Sequence, residues 1–292
     1  MITPVALRAQ AETEATSFPP LLARAEHLAG AVLLGDHGRR RAGLGDDFWQ
    51  YRPAQQGDSR RMIDHRRSAR GDTQYVRERE WQIAQSVMLW VDQGASMRFA
   101  SNDALPEKVD RARLLALAIA ILLVRGGERV GLTGTSLPPR RGNLQVLRLA
   151  QMFSKDAAAD YQPPEHRAMI PSARALFISD FMGDVGEVKL ALTKAADRGV
   201  RGVILHLLDP SEEAFPFRGR TIFESMGGTI SHETLKANDL KARYLERLAE
   251  RKEELRALCA ITGWQYGLHH TDTSAQAALL WLYRALDRGQ IR

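Results

Sequence analysis

The chain has 292 residues, 44% of them hydrophobic and 26% charged, a globular composition long enough for one large domain or two modest ones. Forty-one basic residues against 35 acidic give a formal charge of +6, and 34 of the 41 are Arg against 7 Lys. A single cysteine, Cys259, excludes a disulfide framework within the chain and a cysteine-based zinc site.

Residues 1–20 carry acids and no apolar stretch of signal-peptide length, and are expected to form a flexible N-terminus. Leu21 to Leu34 has apolar residues at helical spacing and stops at Gly35. Asp36 to Glu80 is rich in Arg, Asp and Gly and poor in aliphatics, so little regular structure is expected there. Val87 to Val91 is a short apolar run ending at Asp92, the pattern of a buried parallel strand. A helix follows over Glu107 to Arg125. Its apolar run, Leu114 to Val124, is eleven residues long, short of the ~20 needed to cross a bilayer.

The spacing then predicts a strand at Arg129–Thr133, a helix at Gly142–Phe153, and a strand at Ala175–Ser179 ending at Asp180. Next come a helix at Val185–Arg198, a strand at Gly202–Leu208 ending at Asp209, and a small hairpin over Phe215–Ile230. A long charged helix at Glu233–Thr262, a strand at Trp264–His269 and a helix at Ser274–Arg288 complete the chain. Strands alternating with helices imply an α/β doubly wound, mostly parallel sheet. Asp92, Asp180 and Asp209 should therefore gather along the carboxyl-terminal rim, where open α/β sheets bind ligands.

Several chemistries find no support. The chain lacks a P-loop, a complete dinucleotide-binding glycine motif, a nucleophile elbow and a paired-histidine zinc-protease motif. His269, His270 and Asp272 read as a polar strand end rather than a metal or catalytic group, and Cys259 as a buried helical thiol. No nucleophile–base pair stands out, and no small-molecule substrate is identified.

Two stretches carry a resemblance. One runs Gly43-Leu-Gly45, Phe48, Tyr51-Arg52, Gly57-Asp58, Arg60, Ile63-Asp64, Ala69-Arg70 and Tyr75-Val76-Arg77-Glu78. The other is Val87–Val91 followed by Asp92-Gln-Gly94-Ala-Ser96. Together they resemble bacterial domain-of-unknown-function family 58, with His65 where the family usually has Trp and Ala54 where it usually has an aromatic. Ile178-Ser179-Asp180-Phe181 and Leu208-Asp209-Pro210-Ser211-Glu212 also match, so the similarity runs from about residue 20 onward.

The resemblance implies a von Willebrand factor A-like domain over residues 81–292, with an insertion at about 211–232. Ahead of it would lie an N-terminal helix and an Arg/Asp-rich signature segment over 21–80. Such domains hold Mg²⁺ or Mn²⁺ through a D-x-S-x-S loop, a Thr and a late Asp. Here Asp92, Ser96 and Asp180 match, Gly94 replaces the middle Ser, and the Thr loop aligns with Pro139-Arg140-Arg141-Gly142, which has no hydroxyl. The implied metal site is degenerate and its affinity should be weak, with an Arg available to neutralise the carboxylates instead. No other cofactor is expected. The implied interaction rim is Asp92, Gly94, Ser96, Arg140, Arg141, Asp180 and Asp209.

The signature residues Arg52, Gly57, Asp58, Arg60, Asp64, Arg70 and Arg77 lie in a segment, Asp36–Glu80, holding eleven Arg against eight acids. That near balance favours internal ion pairing; any exposed members would form a binding surface. The family link implies a non-enzymatic cytoplasmic assembly factor acting with a MoxR-type AAA+ ATPase. The alternatives are binding of nucleic acid or another anionic polymer through Arg clusters, and a weak metal-dependent hydrolase. No helix-turn-helix, RRM or zinc-finger signature supports the nucleic-acid reading.

Overall fold

In a computed structural model of the protein, the described residues are 19–32, 42–43, 47–55, 58–59, 63–71, 73–80, 85–154, 159–224, 228 and 231–287. The expectation of a flexible N-terminus thus falls outside them, save for Pro19 and Pro20, which open the first helix. The chain divides into two compact units, residues 36–85 and the remainder.

The larger unit begins with α1 (Pro19–Gly30) and resumes at β4 (Ser86–Val91). A 3₁₀ turn (Ala95–Arg98), α3 (Lys108–Arg125), β5 (Arg129–Leu132), α4 (Asn143–Phe153), β6 (Arg174–Ser179), α5 (Val185–Asp197) and β7 (Arg201–Leu208) follow. The chain ends with α6 (Pro210–Ala214), the hairpin β8 (Thr221–Glu224) and β9 (Ser231–Thr234), α7 (Ala237–Thr262), β10 (Gln265–His270) and α8 (Ala275–Asp287). Five strands form one all-parallel sheet in the order β5-β4-β6-β7-β10. This is the doubly wound α/β class expected from the strand–helix alternation.

The pleat explains why the strands read as unbroken apolar runs. Val87, Leu89 and Val91 face a core built with α1, α3, α4 and α8, while Met88 and Trp90 face the opposite core with α5 and α7. Both faces are covered, so Val87 to Val91 is apolar at both parities. Ala25, Ala29 and Val32 are buried in the first of these cores. The first helix is therefore part of the sheet unit and not of the signature segment.

The hairpin extends further than the sequence suggests. Ser231–Thr234 pairs antiparallel with Thr221–Glu224, so the long helix starts at Ala237 and not at Glu233.

The smaller unit is more regular than its composition suggests. β1 (Ala42–Gly43), β2 (Asp47–Pro53) and β3 (Tyr75–Glu80) make an antiparallel sheet in the order β1-β3-β2, joined by the one-turn helix α2 (His65–Ser68). Aromatic and β-branched residues at Tyr51, Tyr75 and Val76 suit strands even where aliphatics are few.

Candidate functional site: the carboxyl-terminal rim

Sheet order reverses between β4 and β6, and their carboxyl ends bound the crevice where this fold class places its ligands. Asp92 follows β4, Asp180 follows β6 and Asp209 follows β7, so the three predicted acids share one rim, all buried.

Each carboxylate is already engaged. Asp92 Oδ1 accepts from Gly94 N at 2.8 Å and Oδ2 from Ser179 Oγ at 2.7 Å. The Ser179 hydroxyl in turn accepts from Phe181 N at 2.8 Å, a residue held in the left-handed region at φ 47°. Asp180 Oδ1 accepts from Met182 N, and its Oδ2 lies 2.9 Å from Lys108 Nζ. Lys108 also reaches Glu212 Oε1 at 2.6 Å. Asp209 completes a capping box at the start of α6 with Glu212, and its Oδ2 accepts from Ser101 N at 3.0 Å.

Lys108 is therefore the cation of the rim. It opens α3 on the stripe Lys108, Ala112, Leu115 and Ile119, every member of which is buried. Burial opposes its charge, but Asp180 and Glu212 outweigh that and hold its pKa above the ordinary lysine value. Burial likewise opposes ionisation of Asp180, yet Lys108 keeps it below the ordinary carboxylate range. Asp92 has no such partner. Burial, then the charge of Asp180, pushes its pKa up to about 7. Burial, helped by Asp180, also leaves Glu212 above its usual value despite the ammonium.

The residues present do not fit a divalent ion. An ammonium sits on Asp180 where a metal would compete for the oxygen, and both oxygens of Asp92 accept hydrogen bonds. Among the described residues no group of three His, Cys, Asp or Glu side chains is placed to hold a metal. The glycine at 94 has a steric cause. A Cβ there would lie 2.7 Å from the Asp160 carbonyl oxygen, because residues 159–160 accept hydrogen bonds from Ala95 N and Ser96 N at 2.9 Å each. A serine side chain has no room. The loop that approaches the rim is thus 159–161, and not Pro139–Gly142 as the alignment suggested.

Arg140 and Arg141 are corrected accordingly. Arg140 bridges Val130 on the free edge of β5, level with Val87 near the amino end of the sheet. Both arginines are exposed there, away from the rim. The neutralising role expected of an arginine belongs to Lys108. Ser96 does reach the rim. Its hydroxyl leans on Asp180 and helps hold that carboxyl down, without a hydrogen bond of good geometry.

In the small unit three of the signature residues, Arg52, Asp58 and Asp64, have partners within it. Arg52 grips Asp58 through two bonds of 2.7 Å, which holds the Asp58 pKa down at about 2. Asp64 caps α2 by accepting from Arg67 N at 3.0 Å, and also accepts from Tyr51 Oη at 3.1 Å. The Arg67 guanidinium stacks over Tyr51 and Tyr75 at 4.6 and 5.4 Å. Arg70 is exposed, and Arg77 lies in β3. Gly57 and Arg60 lie outside the described residues.

The other polar candidates are structural. His269 bonds Arg111 at 3.1 Å and Thr273 at 2.9 Å, and burial, then Arg111, pushes its pKa down to about 4. His270 pairs with Glu213. Cys259 is buried in α7, and burial pushes its thiol up to about 12.

Fold and rim together define a doubly wound α/β domain in which an internal lysine, Lys108, holds Asp180 and Glu212 at the rim. The chain belongs to the family described as Protein of unknown function DUF58, whose model matches residues 50–254. Among solved structures it is similar to the conserved hypothetical protein BatB from Bacteroides thetaiotaomicron, at 15% identity and a TM-score of 0.39, over 70% of this chain and 100% of that one. It is also similar to an aerotolerance-related membrane protein from Bacteroides fragilis NCTC 9343 with multiple mutations to serines, at 16% identity and a TM-score of 0.38, over 70% and 100% of the two chains. No curated protein matches it. Among the described residues of this chain, no helix is long and apolar enough to cross a membrane.

Proposed function

We propose that the chain is a non-enzymatic interaction factor that docks a partner protein on the carboxyl-terminal rim of its sheet. The partner that the family resemblance suggests is a MoxR-type AAA+ ATPase. The observation that carries the reading is the saturation of the rim acids. Every oxygen of Asp92 and Asp180 already accepts a hydrogen bond, and the cation is built in. Such a rim offers shape and apolar surface and no uncommitted carboxylate. Tyr161 beside Asp180, Ile222 in β8 and Leu235 just after β9 are large apolar side chains left exposed.

The test is gel filtration of the purified chain with the MoxR-type ATPase of the same organism, with and without ATP. A complex is expected, lost in a Tyr161→Arg, Leu235→Arg double variant and retained in Arg140→Glu, at the far end of the sheet. Absence of a complex under both conditions, or dependence on Arg140 alone, counts against the reading.

A further inference from the structure

Between the end of β6, α6, the β8–β9 hairpin and α7 lies a cavity of about 520 Å³, within the range of roughly 300–1,000 Å³ usual for small-ligand sites. All of it belongs to the sheet unit. Its walls are aromatic. Phe215, Phe217, Phe223 and Tyr244 pack ring against ring at centroid separations of 4.9 to 5.7 Å.

The floor is polar and has bonding capacity to spare. Lys108 commits two of its three N–H bonds, to Asp180 and Glu212. The hydroxyls of Ser96 and Ser211 line the cavity beside Asp180 and Asp209, their Oγ atoms buried, and neither completes a hydrogen bond of good geometry. Ser211 is nine-tenths buried.

The opening is basic. Arg243 and Arg247, one turn apart on α7, both line it and are exposed, and neither has an ion pair among the described residues. Glu224, exposed, and Asp160, half-buried, are the other carboxylates that line the cavity besides the Lys108 partners Asp180 and Glu212.

We propose that this cavity binds an amphiphilic organic anion. The ligand is a monocarboxylic acid with an apolar body and a neutral oxygen function at its far end. Its carboxylate lies on Arg243 and Arg247, where guanidinium forks match carboxylate geometry. Its body lies against the aromatic walls. Its neutral end, a hydroxyl or carbonyl, meets Lys108, Ser96 and Ser211. The reverse orientation is disfavoured, since a second anion at the floor would face Asp180 and Glu212. The cavity adjoins the rim proposed for docking, since Tyr161 and Asp180 line it, but the chain alone supplies every contact to the acid.

Calorimetric titration of the full chain with 10-hydroxydecanoate, decanoate and decylamine, each below its micelle concentration, tests it. The hydroxy acid should bind saturably at one site per chain and decanoate more weakly, with the amine at least about tenfold weaker than either. Charge reversal of the exposed pair, Arg243→Glu with Arg247→Glu, should weaken the hydroxy acid at least about tenfold. Leu240→Trp, which narrows the cavity from α7 without altering charge, should weaken all three, with unfolding midpoints showing that each variant is folded. The proposal is overturned if neither acid binds, if acid and amine bind alike, if several molecules bind per chain, or if charge reversal leaves the hydroxy acid unaffected.

Discussion

Lys108 Nζ lies 2.9 Å from Asp180 Oδ2, and both side chains are 1% exposed. An ammonium with so little exposure is held by charge and geometry together, because its desolvation is offset only while both carboxylates stay in place. Replacement by Met keeps the length of the side chain and leaves Asp180 and Glu212 facing each other. Lys108→Met is expected to cost about 3–5 kcal/mol in urea unfolding. Its melting temperature should rise with Mn²⁺, which the freed carboxylates suit, whereas the natural chain should melt at one temperature with Mn²⁺ or with chelator.

Asp92 titrates near 7 when folded and near 3.8 when unfolded. Between those values the folded chain binds more protons, so stability falls as pH rises through the window. Asp92→Asn never carries the buried charge. The variant should match the natural chain below about pH 4 and exceed it above pH 8 by about 1–3 kcal/mol. Denaturant unfolding at both ends of the range measures the difference.

Gly94→Ser places a hydroxyl at the middle position of the D-x-S-x-S pattern. Its Cβ meets the Asp160 carbonyl, so the substitution is expected to destabilise by about 1–3 kcal/mol. It should confer no response to Mn²⁺ in the same melting assay.

In the small unit Asp64 serves both as helix cap and as acceptor for Tyr51. Asp64→Ala should weaken the unit by about 1 kcal/mol. Hydrogen exchange across β2 and β3 should quicken roughly fivefold, while exchange in β6 and β7 stays unchanged.

The sheet was legible because its strands are short apolar runs closed by acids, and burial on both faces leaves no other pattern. The acidic rim followed from the ends of three of those strands. Lys108 went unnoticed because a lysine in the first turn of a helix ordinarily sits in water. The available signal was its place on the stripe with Ala112, Leu115 and Ile119. Arg140 was misplaced because an alignment by motif order ignores register, and one backbone bridge to Val130 fixes it at the other end of the sheet. The antiparallel unit was underestimated because its order comes from Arg52–Asp58 and Arg67–tyrosine contacts, which hydrophobic periodicity does not register.

α1 packs with α3, yet fifty residues, 36–85, lie between it and β4. The first helix thus reaches its place only by closing a long chain loop. A loop that is itself folded costs less entropy to close than a slack one, since the cost grows with the logarithm of the free length. Loosening the small unit therefore lengthens the free loop that α1 must close, and is expected to fray α1 from the face of the sheet opposite α7.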